Sequence, residues 1–223
     1  VSKLNREATP YLAELIGTFA FVLIAAGAVA VNNQTAGSLG TLGIAIASGL
    51  GLMAAIYTFS HISGGYFNPA VTIALWTTKK LEASVAFWYI VSQLFGAVLA
   101  GIFIEGFLGG ASQVVPELTK PDAVAAVFIE ALLTFILVLV IYGTLIDRRS
   151  HTSHAGMAIG LVYTALVLIG FNLTGAALNP ARVFGPALVD NLWANHLVYW
   201  LGPILGAVIA GLVYEYGVLR SKE

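Results

Sequence analysis

Cysteine is absent from the 223 residues, and charge is scarce, with Lys, Arg, Asp and Glu together making up 9% of the chain. The first absence excludes disulfides, thiol nucleophiles and cysteine-based metal sites. The second places the sequence far below the roughly 25% charged residues of a soluble domain. A formal net charge of −1 offers no basic surface for a polyanion, so no nucleic-acid partner is expected. What fills the chain instead is apolar: 59% of it is hydrophobic. Such a sequence is an integral membrane protein whose first partner is the lipid bilayer.

Apolar runs over residues 11–31, 39–60, 84–108, 123–146, 155–171 and 197–218 each come near the ~20 residues that cross a bilayer. Six spans form one transmembrane domain over 1–223, and the fifth run is the shortest. With the N-terminus inside, Lys3, Arg6, Lys79, Lys80, Arg148, Arg149, Arg220 and Lys222 are cytoplasmic, and Lys120 is the one basic residue of an ordinary external loop. Both termini are therefore expected in the cytoplasm, with the plasma membrane as the location. The polar start has no separate apolar core and cleavage site of a signal peptide.

The tripeptide Asn-Pro-Ala occurs twice, at Asn68-Pro69-Ala70 and at Asn179-Pro180-Ala181. Each copy follows a Ser/Thr-Gly break and precedes an apolar run too short to span. Other stretches repeat too: Glu14 to Phe19 matches Glu130 to Phe135 at an offset of 116, and Gln93 to Gly101 matches Pro203 to Gly211 at an offset of 110. Three spans per half turn the second copy upside down in the membrane, so the pattern predicts an inverted repeat of about 8–110 and 123–218. Each tripeptide then opens a re-entrant half-helix, tolerated at that depth only beside a watery cavity or inside protein. Small residues four apart, Gly96 with Ala100 and Ala207 with Gly211, suit close helix contact.

Asn caps a helix, Pro suits its first turn, and Ala propagates it. With each Asn side-chain oxygen accepting a backbone N–H of its own half-helix, Asn68 and Asn179 each keep two amide donors free for the centre of a pore. Two helix N-termini meeting there bring two positive dipole ends together and repel cations and protons. The residues ahead of each cap, Gly64, Gly65, Tyr66 and Phe67, then Gly175, Ala176, Ala177 and Leu178, are read as extended segments exposing a ladder of carbonyl acceptors. Arg182, directly after the second tripeptide, is costly at this depth unless backbone carbonyls brace it beside water.

The stretches His61-Ile-Ser-Gly-Gly-Tyr-Phe-Asn68-Pro-Ala-Val-Thr and Gly175-Ala-Ala-Leu-Asn179-Pro-Ala-Arg182-Val-Phe-Gly-Pro-Ala187 resemble the two signature loops of the aquaporin, or major intrinsic protein, family. The resemblance covers nearly the whole chain. It implies an all-α membrane fold, a right-handed bundle of six tilted helices plus two half-helices, with one pore per subunit and a homotetramer. It also implies an outer selectivity filter made by Ser48, Val167, Ala176 and Arg182. Strict water channels of the family are expected to carry Phe and His where this chain has Ser48 and Val167, which points to a wider, more apolar constriction. The Val-Ala-Arg part looks like nodulin-like intrinsic proteins, which implies small uncharged solutes such as glycerol or metalloid acids. Against that, the glycerol-facilitator subgroup has Asp where Val183 stands, and Ala187 and Tyr199-Trp200 look like the water-channel side.

The reading is a passive channel for water and small neutral solutes such as glycerol, excluding protons and ions, with no cofactor, metal or catalytic group. A strictly water-selective channel is the alternative. Glu14 and Glu130, at equivalent places inside two spans, either brace the loops through backbone N–H bonds or relay protons in an ion-coupled transporter. Bracing is preferred, since no acidic residue in the loops passes a proton onward. His61 stands at the cytoplasmic mouth, as a passive hydrogen-bonding group or a gate. An intramembrane enzyme built on Ser63 and His61 lacks an oriented triad.

Overall fold

The computed structural model describes residues 3–110, 114–116, 118 and 122–219, with side chains from residue 8 onward. Lys120, Arg220 and Lys222, named above for membrane sidedness, lie outside the described residues. Six long apolar helices are present: α1 (Lys3–Gln34), α2 (Gly40–Ser63), α4 (Ala83–Leu108), α5 (Ala123–Ile141), α6 (Ala155–Thr174) and α8 (Val198–Leu212). Between them lie two short helices, α3 (Pro69–Thr77) and α7 (Pro180–Asp190). Helical π turns extend α5 through Tyr142–Ile146 and α8 through Val213–Leu219. The fifth span reaches Thr174 rather than residue 171. Its last turn carries Asn172 and Thr174, polar residues that a hydropathy reading assigns to the loop and that the helix retains.

At ~1.5 Å per residue, the nine residues of α3 and eleven of α7 reach about halfway across a bilayer. Their starts are set locally. Asn68 and Asn179 have extended backbones, and each side-chain oxygen accepts the N–H two residues on, from Ala70 and Ala181, at 2.9 Å. The preceding helices stop where Gly64 (φ 98°) and Gly175 (φ 84°) take left-handed conformations that close α2 and α6.

Packing runs both within and across the two halves of the chain. Helix α1 lies on α4 and α5 on α8, α2 meets α6, and each short helix packs on a long helix of the other half, α3 on α8 and α7 on α4. Glycine makes these approaches possible. A Cβ at Gly96 would meet the Leu15 carbonyl, one at Gly206 the Ala131 carbonyl, and one at Gly185 the Ala97 carbonyl. The outward faces carry large apolar side chains such as Phe107 and Phe128, 76% and 72% exposed, as a lipid-facing surface requires.

Candidate pore and its supporting frame

The two short helices meet end to end. The Asn68 Nδ2 group donates to the Leu178 carbonyl at 2.8 Å, and Asn179 Nδ2 donates to the Phe67 carbonyl at 2.8 Å. Each amide thus spends one of its two protons on the opposite loop. This corrects the expectation of two free donors per asparagine: one remains on each. Burial accounts for it, because at 0% exposure the Phe67 and Leu178 carbonyls need a partner.

The loops ahead of the caps are not extended. Gly64, Gly65 and Phe67 in the first, and Gly175, Ala176 and Leu178 in the second, all have positive φ, with Phe67 at 50°, Ala176 at 45° and Leu178 at 53°. The cause is a buried carboxylate. Glu14 accepts from the backbone N–H of Tyr66 (3.0 Å) and of Phe67 (2.7 Å), and Glu130 accepts from Ala177 (3.0 Å) and Leu178 (2.8 Å). In an extended strand consecutive N–H groups point to opposite sides. Only a change of backbone hand between neighbours aims both at one anion.

Further side chains complete this frame, in a role that was not read from the sequence. Ser63 donates to Glu14 at 2.7 Å and Thr174 to Glu130 at 2.6 Å. Tyr89 donates to the Ser63 carbonyl at 2.9 Å, and Tyr199 to the Thr174 carbonyl at 3.0 Å. The tyrosines stand at the same offset of 110 that relates Gln93 to Pro203, so the repeat itself held the signal. Gln93 has no polar counterpart: its amide donates to Glu14 at 2.7 Å and to Thr72 at 2.9 Å.

Two cavities lie beside the two loops. One is a chamber with largely apolar walls, including Phe21, Ile56, Val71, Leu137 and Ile159, into which Gly65, Tyr66, Asn68 and Asn179 also open. The other is a vestibule lined by Asn33, Pro116, Phe171, Gly175 and Arg182. Ser48, Val167 and Ala176 are wholly buried and line neither cavity. The Ser48 hydroxyl donates to the Ile44 carbonyl one turn back, at 2.7 Å. His61 is exposed at the end of α2 and lines neither cavity.

Arg182 is 2% exposed and within electrostatic reach of Glu130. Carbonyls do not brace it through Nε or Nη1, as the sequence led one to expect: among the described residues, neither has a hydrogen-bond partner. Nearby loop carbonyls are already engaged, Ala177 by the Tyr163 hydroxyl, Leu178 by Asn68 and Thr174 by Tyr199. Buried donors of this kind beside a vestibule are suited to hold a molecule that passes.

At the opposite end of the bundle from Arg182, Lys80 pairs with Glu215 (2.8 Å) and Arg149 with Asp147 (2.6 Å), and Tyr214 donates to Asp147 at 3.0 Å. The hydrogen bonds from Arg149 hold the Asp147 carboxyl well below the usual carboxylate range.

A family model described as "Major intrinsic protein" matches residues 3–214. Among curated proteins, the chain is 40% identical to "Aquaporin TIP4-4" of Zea mays over 213 residues, covering 92% of this chain and 84% of the relative. It is 38% identical to "Aquaporin AqpM" of Methanothermobacter thermautotrophicus, over 92% of this chain and 95% of the relative. Among solved structures, that of the aquaglyceroporin from Plasmodium falciparum superposes with a TM-score of 0.85 at 24% identity, covering 96% of this chain and 98% of that one. That last likeness concerns the fold alone.

Proposed function

This chain belongs to the major intrinsic protein family, a family of membrane channels and not of enzymes, and from that premise we propose that it is a passive pore for water and small uncharged solutes such as glycerol. One observation carries the reading. Asn68 and Asn179 cap two half-helices end to end and open into the chamber, with one amide proton left on each. A water held through its oxygen by both amides donates outward on both sides and does not accept along the file, so the proton wire breaks there. The abutting helix N-termini add positive potential that repels cations and protons.

In this reading Ser48, Val167, Ala176 and Arg182 form the outer filter, and Arg182 donates to hydroxyls of the permeating molecule. The carbonyls of Gly65 and Tyr66 beside the chamber and of Gly175 beside the vestibule supply acceptors, those of Phe67, Ala177 and Leu178 being engaged by Asn179, Tyr163 and Asn68. Glu14 and Glu130 are braces, and His61 is a group at the cytoplasmic mouth. Lys79, Lys80, Arg148 and Arg149 fall at one end of the bundle, opposite the vestibule, which favours both termini in the cytoplasm. A homotetramer in the plasma membrane, with the chain as one domain of two inverted repeats, completes the proposal. Val183, where the glycerol-facilitator subgroup has Asp, favours a second reading, a pore for water alone.

Stopped-flow shrinkage of proteoliposomes, first in sucrose and then in glycerol, tests both. Fast water flux and measurable glycerol entry, neither altered when a proton or sodium gradient is collapsed, are the expected results. Water flux without glycerol entry would leave the water-only pore. Solute accumulation driven by an ion gradient would replace the channel by a transporter.

A further inference from the structure

Tyr163 lies outside both signature loops and outside the four filter positions. Its side chain, 1% exposed, lines the chamber into which Asn68 and Asn179 open. The ring meets that of Phe21 edge-on, with centroids 5.4 Å apart and planes at 86°. Its hydroxyl donates to the Ala177 carbonyl at 3.2 Å. The offset of 111 that relates Asn68 to Asn179 pairs Tyr163 with Leu52, which lines the same chamber with a smaller side chain and no hydroxyl. The first half of the chain thus presents a plain aliphatic wall where the second presents a pinned aromatic ring.

We propose that Tyr163, set against Phe21 and pinned to the Ala177 carbonyl, is a specificity-determining residue that forms a second, size-limiting constriction on the chamber side of the asparagine pair. The proposal rests on the reading of this protein as a neutral-solute pore. In a single file, constrictions act in series and the narrower one governs. A hydrogen bond to the loop holds the ring in one orientation, so it does not swing aside for a larger solute as an unpinned ring would. The same bond withdraws the Ala177 carbonyl from the acceptors available to a passing molecule, which shortens the second ladder relative to the first. A wide apolar outer filter at Ser48 and Val167 and a tighter inner ring at Tyr163 reconcile the sequence markers, some pointing to polyols and others to water.

The test compares the full-length parent, Tyr163→Leu and Tyr163→Phe in proteoliposomes, reading the ratio of glycerol to water permeability. That ratio does not depend on how many pores have folded. Tyr163→Leu, which copies Leu52, is expected to raise it about tenfold, the scale of a few methylenes gained in an apolar passage. Tyr163→Phe keeps the bulk and loses the pin, and is expected to raise it roughly threefold, the scale of one neutral hydrogen bond. A parental ratio in Tyr163→Leu overturns the proposal, and if that variant does not fold, a parental ratio in Tyr163→Phe does so. A parent without water flux would instead overturn the channel reading beneath it.

Discussion

The two loops that carry Asn-Pro-Ala share a frame and differ in what they present. Both are held by a buried glutamate, a Ser or Thr hydroxyl and a tyrosine, at 2.6–3.0 Å. Immediately after the tripeptide they part. The first continues with Val71, which faces the apolar chamber, and the second with Arg182, which faces the vestibule. The repeat keeps the chemistry that fixes backbone shape and changes the side chain that follows each tripeptide. The braces differ as well: Gln93 joins Glu14, while its counterpart Pro203 has no side-chain group to offer Glu130.

That contrast in bracing predicts the largest effect. Glu130→Gln removes a charge that three donors share, and charge-assisted bonds contribute about 1.5–3 kcal/mol each. Thermal unfolding of purified protein should show Glu130→Gln losing most of its folded state. Glu14→Gln should lose less, because the Gln93 amide can turn its oxygen toward the new NH₂ group and Pro203 cannot. Equal losses, or the reverse order, would remove Gln93 as a buffer.

Making the second loop like the first is the next test. Arg182→Val copies Val71 and should raise leakage of protons and small cations about tenfold or more, the scale of one buried charge interaction of ~1.4 kcal/mol. A pH-sensitive dye inside the vesicles reads it. Unchanged leakage would place ion exclusion wholly at the abutting helix dipoles.

Ser48→Phe with Val167→His should lower glycerol flux several-fold, on the order of what excess bulk costs in an apolar passage, with water flux retained. Equal glycerol permeability before and after would move the solute-limiting step to Tyr163 or undo the assignment of these two positions to the filter.

The smallest effect belongs to the end of the bundle where Asp147 closes on Arg149 and Tyr214. The folded state lowers the pKa of this carboxyl, so its contribution is present above the ordinary carboxylate value of about 4 and is lost as pH falls below that value. Asp147→Asn should therefore lower the melting temperature slightly at neutral pH, with the gap to the parent closing only at strongly acidic pH. The Arg149 side chain is 48% exposed, which keeps the effect small and sensitive to salt. A gap that persists unchanged at low pH would assign the loss to packing.

Much of this molecule is local and was legible residue by residue. Span length follows from the ~30 Å apolar layer, and helix starts at Pro69 and Pro180 follow from Asn caps that act within two residues. The pairing of Glu14 with Glu130 and of the two tripeptides was visible because the sequence repeats itself. What did not show was how distant groups divide their hydrogen bonds. Asn68 spends a proton on Leu178, 110 residues away, and Gln93 reaches Glu14 across 79. The loops were read as extended because nothing nearby shows two consecutive N–H groups converging on one carboxylate from another helix. Nothing in the sequence separates Tyr163 from other aromatics of the apolar spans; the hydrogen bond from its hydroxyl to the Ala177 carbonyl does. Sequence alone determined the membrane class, the spans, the helix caps and the repeat, since each depends on neighbours along the chain. Tertiary structure alone decided loop backbone hand, the free donors of Asn68, Asn179 and Arg182, and which side chains face the chamber, because burial leaves each polar group only the partners that packing brings within reach.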